Sequence, residues 1–244
     1  MNTPPIHWLD DIDSTNEEAK RRAAASGFQD QWIAARSQTA GRGRLGRSWQ
    51  SPTGNLFASA LFHWKRPLAE AVCVPFVAAL AVADTAEQFA PGCGAKLKWP
   101  NDVRVNGAKL SGILVESGEG PSGRWLVVGI GMNVASVPEN IDQAGTCLSD
   151  LRGQILSVDL VLDTLVECFS ERLQQAENAF DFTRRDWLAR GEGLNEEVRV
   201  MVDGSPVIGV FEGLGPDGAL LLRLQNGELH TIRAGDVELI REGH

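Results

Sequence analysis

Cysteine pairing is missing from this chain: Cys73, Cys93, Cys147 and Cys168 are scattered, with no C-x-x-C among them. The reading is therefore of reduced, mainly buried thiols in the cytoplasm. His7, His63, His230 and His244 stand in no metal-ligand spacing, which argues against a structural zinc site. The longest apolar region, 69–90, is broken by Glu70, Pro75, Asp84 and Glu87, so no membrane span is expected. The start has two prolines and then Asp10, Asp11 and Asp13; lacking a basic n-region and an apolar h-region, it does not read as a secretory signal. No G-x-S-x-G, H-E-x-x-H or Cys-His pairing is recognisable. Last, residues 31–69 hold no Asp or Glu but six Lys or Arg, inside a chain of net charge −9.

That acid-free stretch contains Gly41-Arg42-Gly43-Arg44-Leu45-Gly46-Arg47-Ser48-Trp49. Glycine lets backbone N–H groups come close to a ligand, and arginine supplies planar charged forks that fit phosphate or carboxylate oxygens. Trp49 adds a flat face suited to a ring. Glycine and arginine also make ordinary solvated turns. Positive charge confined to one region of an acidic protein points instead to a small anionic ligand, and away from a nucleic-acid surface. Gly41, Gly43 and Gly46 formally match G-x-G-x-x-G, but the segment after them does not open a helix, and no acid appears until Glu70. A Rossmann site is therefore not expected.

At 244 residues the chain can hold one sizeable core and a small second domain. Ser14 and Glu17 form a capping-box pattern ahead of a helix that Gly27 stops, and capping alone would explain Ser14, Thr15 and Asn16. Strands are expected over 31–36 and 55–62. A helix follows over 69–89, where Pro75 implies a break or a late start. Between the strand-like runs that follow Lys98-Trp99-Pro100-Asn101-Asp102 and that extend from Lys109 to Glu116, Asn106-Gly107 is a hairpin turn. Two ammonium groups, an amide and a carboxylate thus approach a common cleft, unless Asn-Asp is a plain turn and the lysines are solvated. The apolar strand 124–134 carries Gly129 and Gly131, which bare one face, and Asn133, which needs a loop backbone or a ligand edge as partner. Helices over 160–179 and 181–190 are expected to cover one sheet face. Beyond Gly191-Glu192-Gly193, short strands between glycine turns suggest a small antiparallel barrel of about five strands.

Taken together and in this order, these stretches resemble biotin protein ligases. The resemblance implies an α+β fold: a mixed-sheet catalytic domain of the class II synthetase-like biotin/lipoate ligase type over 1–192, and a C-terminal SH3-like β-barrel over 193–244. It implies that Ser14, Thr15 and Asn16 meet the ureido ring, that Gln38 and Gly112 line the biotin site, and that Arg42, Gly43 and Arg44 fold over biotin and its activated phosphate. Lys109 looks like the lysine that holds the biotin carboxylate. Trp49 would pack on adenine and Asn133 would meet its edge. Arg47, Lys98, Asn101 and Asp102 would surround the phosphates, the metal or the attacking amine, with Lys109, Arg44, Lys98 and Asp102 at the reacting centre. The substrates implied are ATP and biotin, the cofactor Mg2+, with no metal ligand assigned. The implied partner is a biotin carboxyl carrier protein, with no nucleic acid or membrane, and the sheet edge could support a homodimer. Only thirteen residues precede Ser14, too few for the winged helix-turn-helix of ligases that double as repressors. A lipoate ligase with the same adenylation chemistry, and a non-catalytic anion- or RNA-binding module, are the alternatives.

Overall fold

The structure, a computed structural model, describes residues 4–139, 143–178 and 180–240. His244, and Ala179 at the end of one expected helix, lie outside them. In chain order the first elements are β1 (Ile6–Ile12), α1 (Thr15–Ala23), β2 (Gln31–Gln38), β3 (Leu56–His63), α2 (Val74–Phe89), β4 (Lys96–Lys98), β5 (Asp102–Val105), β6 (Ala108–Gly120) and β7 (Gly123–Met132). The strands form one seven-stranded sheet in the order β1-β2-β3-β7-β6-β5-β4. Only β1 and β2 are parallel, so the sheet is mixed.

Strand alternation divides the sheet into two unlike faces. Trp32, Ala60 and Val128 lie side by side in the ladder and enter the main core. There they meet α2, α4 (Val158–Asn178) and α5 (Phe180–Arg190), which follow α3 (Leu148–Arg152). The Trp32 ring meets Phe169 of α4 edge-on, centroids 5.4 Å apart. The neighbouring row, Ile33, Ser59 and Gly129, faces the other way. On that side Ile33, Leu61 and Val127 pack with Ala19 and Ala23 of α1 and with Phe28. Helix α1 covers only a corner, and the functional cavity occupies the face beside it.

The segment Leu68–Phe89 has a mean hydropathy of 1.7, enough by length and composition to cross a membrane, yet 61% of that window is buried inside the protein. It is the central core helix, apolar all round because sheet and helices enclose it. A 3-10 turn over Leu68–Cys73 precedes α2, and Pro75 sits in its first turn, the late start that the proline implies.

Two expectations near the N-terminus are corrected. Helix α1 ends at Ala23, short of Gly27, and Ser14 occupies the N-cap position without a side-chain capping bond. Glu17 does not reach back to Ser14; it pairs with Lys20 and Arg42. A cation from the basic loop has taken the carboxylate that the capping box would have used.

The last five strands, β8 (Glu197–Val202), β9 (Ser205–Leu214), β10 (Leu220–Arg223), β11 (Leu229–Ile232) and β12 (Asp236–Leu239), make an antiparallel sheet in the order β11-β10-β9-β8-β12. Phe211, Leu214 and Leu220 continue the main core, with Trp187 against Phe211 at 6.5 Å. Trp99 Nε1 donates to the Gly218 carbonyl at 3.2 Å and Arg184 to that of Leu214 at 2.9 Å, fastening the small sheet to the β4–β5 connection and to α5.

Candidate functional site

A cavity of about 450 Å³ opens on the face beside α1. Ser14, Thr15, Asn16, Gln38, Arg42, Gly43, Arg44, Arg47, Trp49, Asn101, Asp102, Lys109, Gly112 and Asn133 all line it. Lys98 is the candidate that does not. It sits on β4 opposite Asp102, where burial pulls its ammonium pKa down, with the Asp102 charge opposing.

At one end the polar side chains bond to each other. The Thr15 backbone N–H donates to Gln38 Oε1 at 2.8 Å, and Gln38 Nε2 donates to Ser51 Oγ at 3.0 Å. Ser59 donates to Asn16 Oδ1 at 2.6 Å and lies 2.8 Å from Thr15 Oγ1. Asn16 Nδ2 donates to Glu116 at 2.9 Å. Burial pushes the Glu116 carboxyl up, but hydrogen bonds from Asn16 and Lys20, with the charges of Lys20 and Arg42, hold it below the ordinary glutamate value. These residues come from α1, β2, β3 and β6, so tertiary contact aligns them.

The basic stretch is a closed hairpin. Arg42 and Ser48 form an antiparallel bridge, Gly43 N–H donates to Arg47 O at 2.7 Å, and Trp49 N–H to Gly41 O at 2.9 Å. Leu45 and Gly46 turn it at φ 55° and 74°. The short 3-10 turn Arg44–Gly46 is its only helical element, which agrees with rejecting a dinucleotide fold. Trp49 returns its ring onto the sheet, where a Cβ on Gly131 would collide with the indole and one on Gly112 would lie 2.8 Å from it. A Cβ on Gly129 would collide with the Asn16 amide. The glycines thus bare the strands for two side chains of the protein, an indole and an amide. Trp49 Nε1 is buried there without a partner.

At the other end cations meet carboxylates. Lys109 Nζ lies 2.8 Å from Asp102 Oδ1 and 5.5 Å from the Trp49 ring centroid. Arg44 donates to Asn101 Oδ1 at 3.1 Å, and Asn101 Nδ2 is itself anchored on Ile113 O at 2.9 Å. Burial lowers the Arg44 pKa, with the Asp236 charge opposing. Asn133 is buried and its Nδ2 donates to the Lys109 and Thr146 carbonyls at 3.3 and 3.1 Å, so a loop backbone is one partner it finds. Asn106 and Gly107, at φ 50° and 76°, make the expected hairpin turn and bring Lys109 back across from Arg104. Among the described residues no three His, Cys, Asp or Glu cluster as a metal cage.

Sequence reasoning overlooked three contributors. Ser59 is a fully buried hydroxyl on a strand of apolar residues, and that polar break was a usable sign. Glu116 closes the apolar run of β6 with a carboxylate directed at Asn16 and Lys20. Asp236, from β12, meets Arg44 and Arg47, and nothing local marks it.

Comparison with known proteins bears on the whole chain. Residues 8–133 match the Biotin/lipoate A/B protein ligase family and residues 193–240 the Biotin protein ligase C terminal domain. The biotin–[acetyl-CoA-carboxylase] ligase of Paracoccus denitrificans is 39% identical over 222 residues, covering 86% of this chain and 91% of that protein. The Mycobacterium tuberculosis enzyme of the same name is 32% identical over 93% of this chain and 86% of its own length. The biotin protein ligase of Aquifex aeolicus, solved in complex with biotin and ATP, superposes with a TM-score of 0.81 at 31% identity, over 98% of this chain and 99% of that one. With matches that run from β1 into β12, the chain belongs to the biotin/lipoate A/B protein ligase family.

Proposed function

We propose that this protein activates biotin with ATP as biotinoyl-AMP and transfers the biotinoyl group to a lysine of a biotin carboxyl carrier protein. The observation that carries the reading is the joining, in one cavity, of a neutral hydrogen-bonding end around Ser14, Thr15 and Gln38 to a cationic end around Lys109, Arg44 and Arg47. A cyclic urea offers one carbonyl acceptor between two N–H donors, which suits hydroxyls and a carboxamide. A carboxylate beside a triphosphate needs cations.

In the first half-reaction a biotin carboxylate oxygen attacks the α-phosphorus of ATP, the bond to the β-phosphate breaks, and pyrophosphate leaves. Both reactants are anions, so the protein's task is to hold them together and offset charge at the reacting oxygens. Lys109 would exchange Asp102 for the biotin carboxylate and phosphate oxygens. Arg44 and Arg47 would take the phosphates, and Asn101 keeps Arg44 aimed. Trp49 would stack on adenine, and Asn133 Oδ1 is the atom left to accept from its amino group. In the second half-reaction the target amine attacks the mixed anhydride, AMP departs, and the amine loses a proton. Lys98, outside the cavity lining, would tune the field at Asp102.

Mg2+ fits as a partner of ATP, since Asp102 is the one carboxylate lining the cavity among the described residues and such an ion usually keeps phosphate and water ligands. When bound it would neutralise phosphate charge. Cys93, Cys147 and Cys168 stand as thiols, which suits the cytoplasm, where we place the reaction. The lipoate alternative gains no support from the relatives, whose names specify biotin. Incubation with MgATP, biotin or lipoate, and a carrier domain, followed by intact-mass measurement, tests the proposal. One biotinyl increment, lost when the carrier lysine becomes arginine, is the expected result. A lipoyl increment would change the substrate, and no increment without biotin-dependent pyrophosphate release would refute the activity.

A further inference from the structure

The basic hairpin is tied at both arms, and one tie comes from the C-terminal sheet. On one arm Arg42 pairs with Glu17 of α1 and lies 3.8 Å from Glu116 of β6. On the other, both carboxylate oxygens of Asp236 approach Arg47 Nη2, at 3.1 and 3.4 Å, and Oδ1 lies 3.6 Å from Arg44 Nη1. Asp236 opens β12, paired with Met201 of β8. A Cβ on Gly235 would lie 2.6 Å from the Met201 carbonyl, so only glycine lets the chain bring Asp236 this close. Arg44 and Arg47 line the cavity and Asp236 does not; its carboxylate grips the guanidinium groups from behind.

We propose that Asp236 is a positioning residue with which the C-terminal sheet holds the hairpin shut over the reaction intermediate. The inference rests on the ligase reading above. A mixed anhydride is cleaved by water: its acyl–oxygen bond breaks and biotin and AMP result, so a lid must stay closed until the target amine arrives. An untied lid wastes ATP. The two ion pairs are partly exposed, with side-chain exposures of 21% and 56% for the arginines and 34% for the aspartate. Their loss therefore raises the open fraction only modestly.

The test compares the wild type with Asp236→Asn, of equal size, and with Asp236→Glu, which keeps the charge. Pyrophosphate released is measured against carrier biotinylated, with MgATP and biotin saturating and the carrier limiting. The ratio should stay near one in the wild type. Asp236→Asn should raise biotin-dependent pyrophosphate release in excess of transfer by about two- to fivefold, and Asp236→Glu should restore much of the coupling. Biotin affinity should fall only slightly, since most molecules keep the hairpin closed. A simple loss of fold would lower both products together. In parallel, trypsin should cut after Arg44 and Arg47 faster in unliganded Asp236→Asn than in the wild type. Unchanged coupling with unchanged cleavage overturns the latch. If the wild type releases no pyrophosphate, the ligase reading has failed, and the cleavage comparison alone still decides whether Asp236 holds the hairpin.

Discussion

At the Ser14 end of the cavity most of the hydrogen bonds join neutral groups, with Glu116 as the charged exception; at the Lys109 end cations sit on carboxylates. Thr15, Gln38, Ser59 and Asn16 are oriented by bonds to one another and to Glu116, and the Ser14 hydroxyl makes no capping bond. That end is rigid before anything binds, because breaking one buried bond would strand its neighbour. Lys109, Arg44 and Arg47 instead sit on Asp102 and Asp236. Bare, they would repel one another, and an incoming anion must take over from a carboxylate. Preorganisation selects the ring; partner exchange at the charged end supplies the activation.

Deleting the exchanging group should separate the two ends most sharply. Lys109→Ala removes the ammonium between Asp102 and Trp49 and leaves the Asp102 carboxylate facing the incoming anions. Biotin-dependent pyrophosphate release should drop by about 10²–10³-fold or more, with the melting temperature and ureido-ring recognition little changed. Near-normal adenylate formation would remove Lys109 from the proposed chemistry.

The glycine shelf between the ends gives the next effect. In Gly129→Ala the new methyl would collide with the Asn16 amide, against a sheet that cannot shift, and overpacking of this kind costs about 1–3 kcal/mol. Biotin affinity should fall by about 5- to 150-fold for the same shift in free energy, read by calorimetry with biotin alone, while nucleotide binding holds. Equal losses for both ligands would show that the two ends are one mechanical unit. Trp49→Ala is the complementary break: stacking is worth about 1–3 kcal/mol per base, so the loss should fall on ATP. An unchanged apparent ATP affinity would argue against the adenine assignment.

How much of this was legible beforehand differs along the same line. The hairpin at Asn106-Gly107, the late helix start at Pro75 and the strand series after Gly193 carry local chemistry, and the structure forms them. The capping box was local chemistry too, and it failed because Arg42, far along the chain, claimed Glu17. β1 went unread: IHWLDDI, with Asp10 and Asp11 side by side, shows no period-2 alternation, and it becomes a strand by pairing with β2 at the sheet edge. Gly129 and Gly131 announced a bare face but not what fills it, since Asn16 and Trp49 arrive from distant segments. Asp236 had no local sign at all, because its role exists only once two sheets are docked.

The smallest effect should distinguish the ends by pH. Glu116 holds Asn16 and Lys20, and its folded pKa lies below the ordinary glutamate value because those bonds and the Lys20 and Arg42 charges outweigh its burial. For a carboxyl whose folded pKa is depressed, the stabilisation is fully present above its unfolded pKa of about 4.3 and disappears as pH falls through the folded pKa. Glu116→Gln should therefore be less stable than the wild type by about 1 kcal/mol near neutrality, the net worth of hydrogen bonds to a partly exposed charge. The difference should shrink once pH drops below about 4, because the protonated wild-type carboxyl then resembles the amide. Denaturant midpoints for both proteins between neutral and acid pH read it directly. A difference constant across that range would mean that Glu116 contributes through packing, and that the charge network joining α1 to Arg42 does not stabilise this end of the cavity.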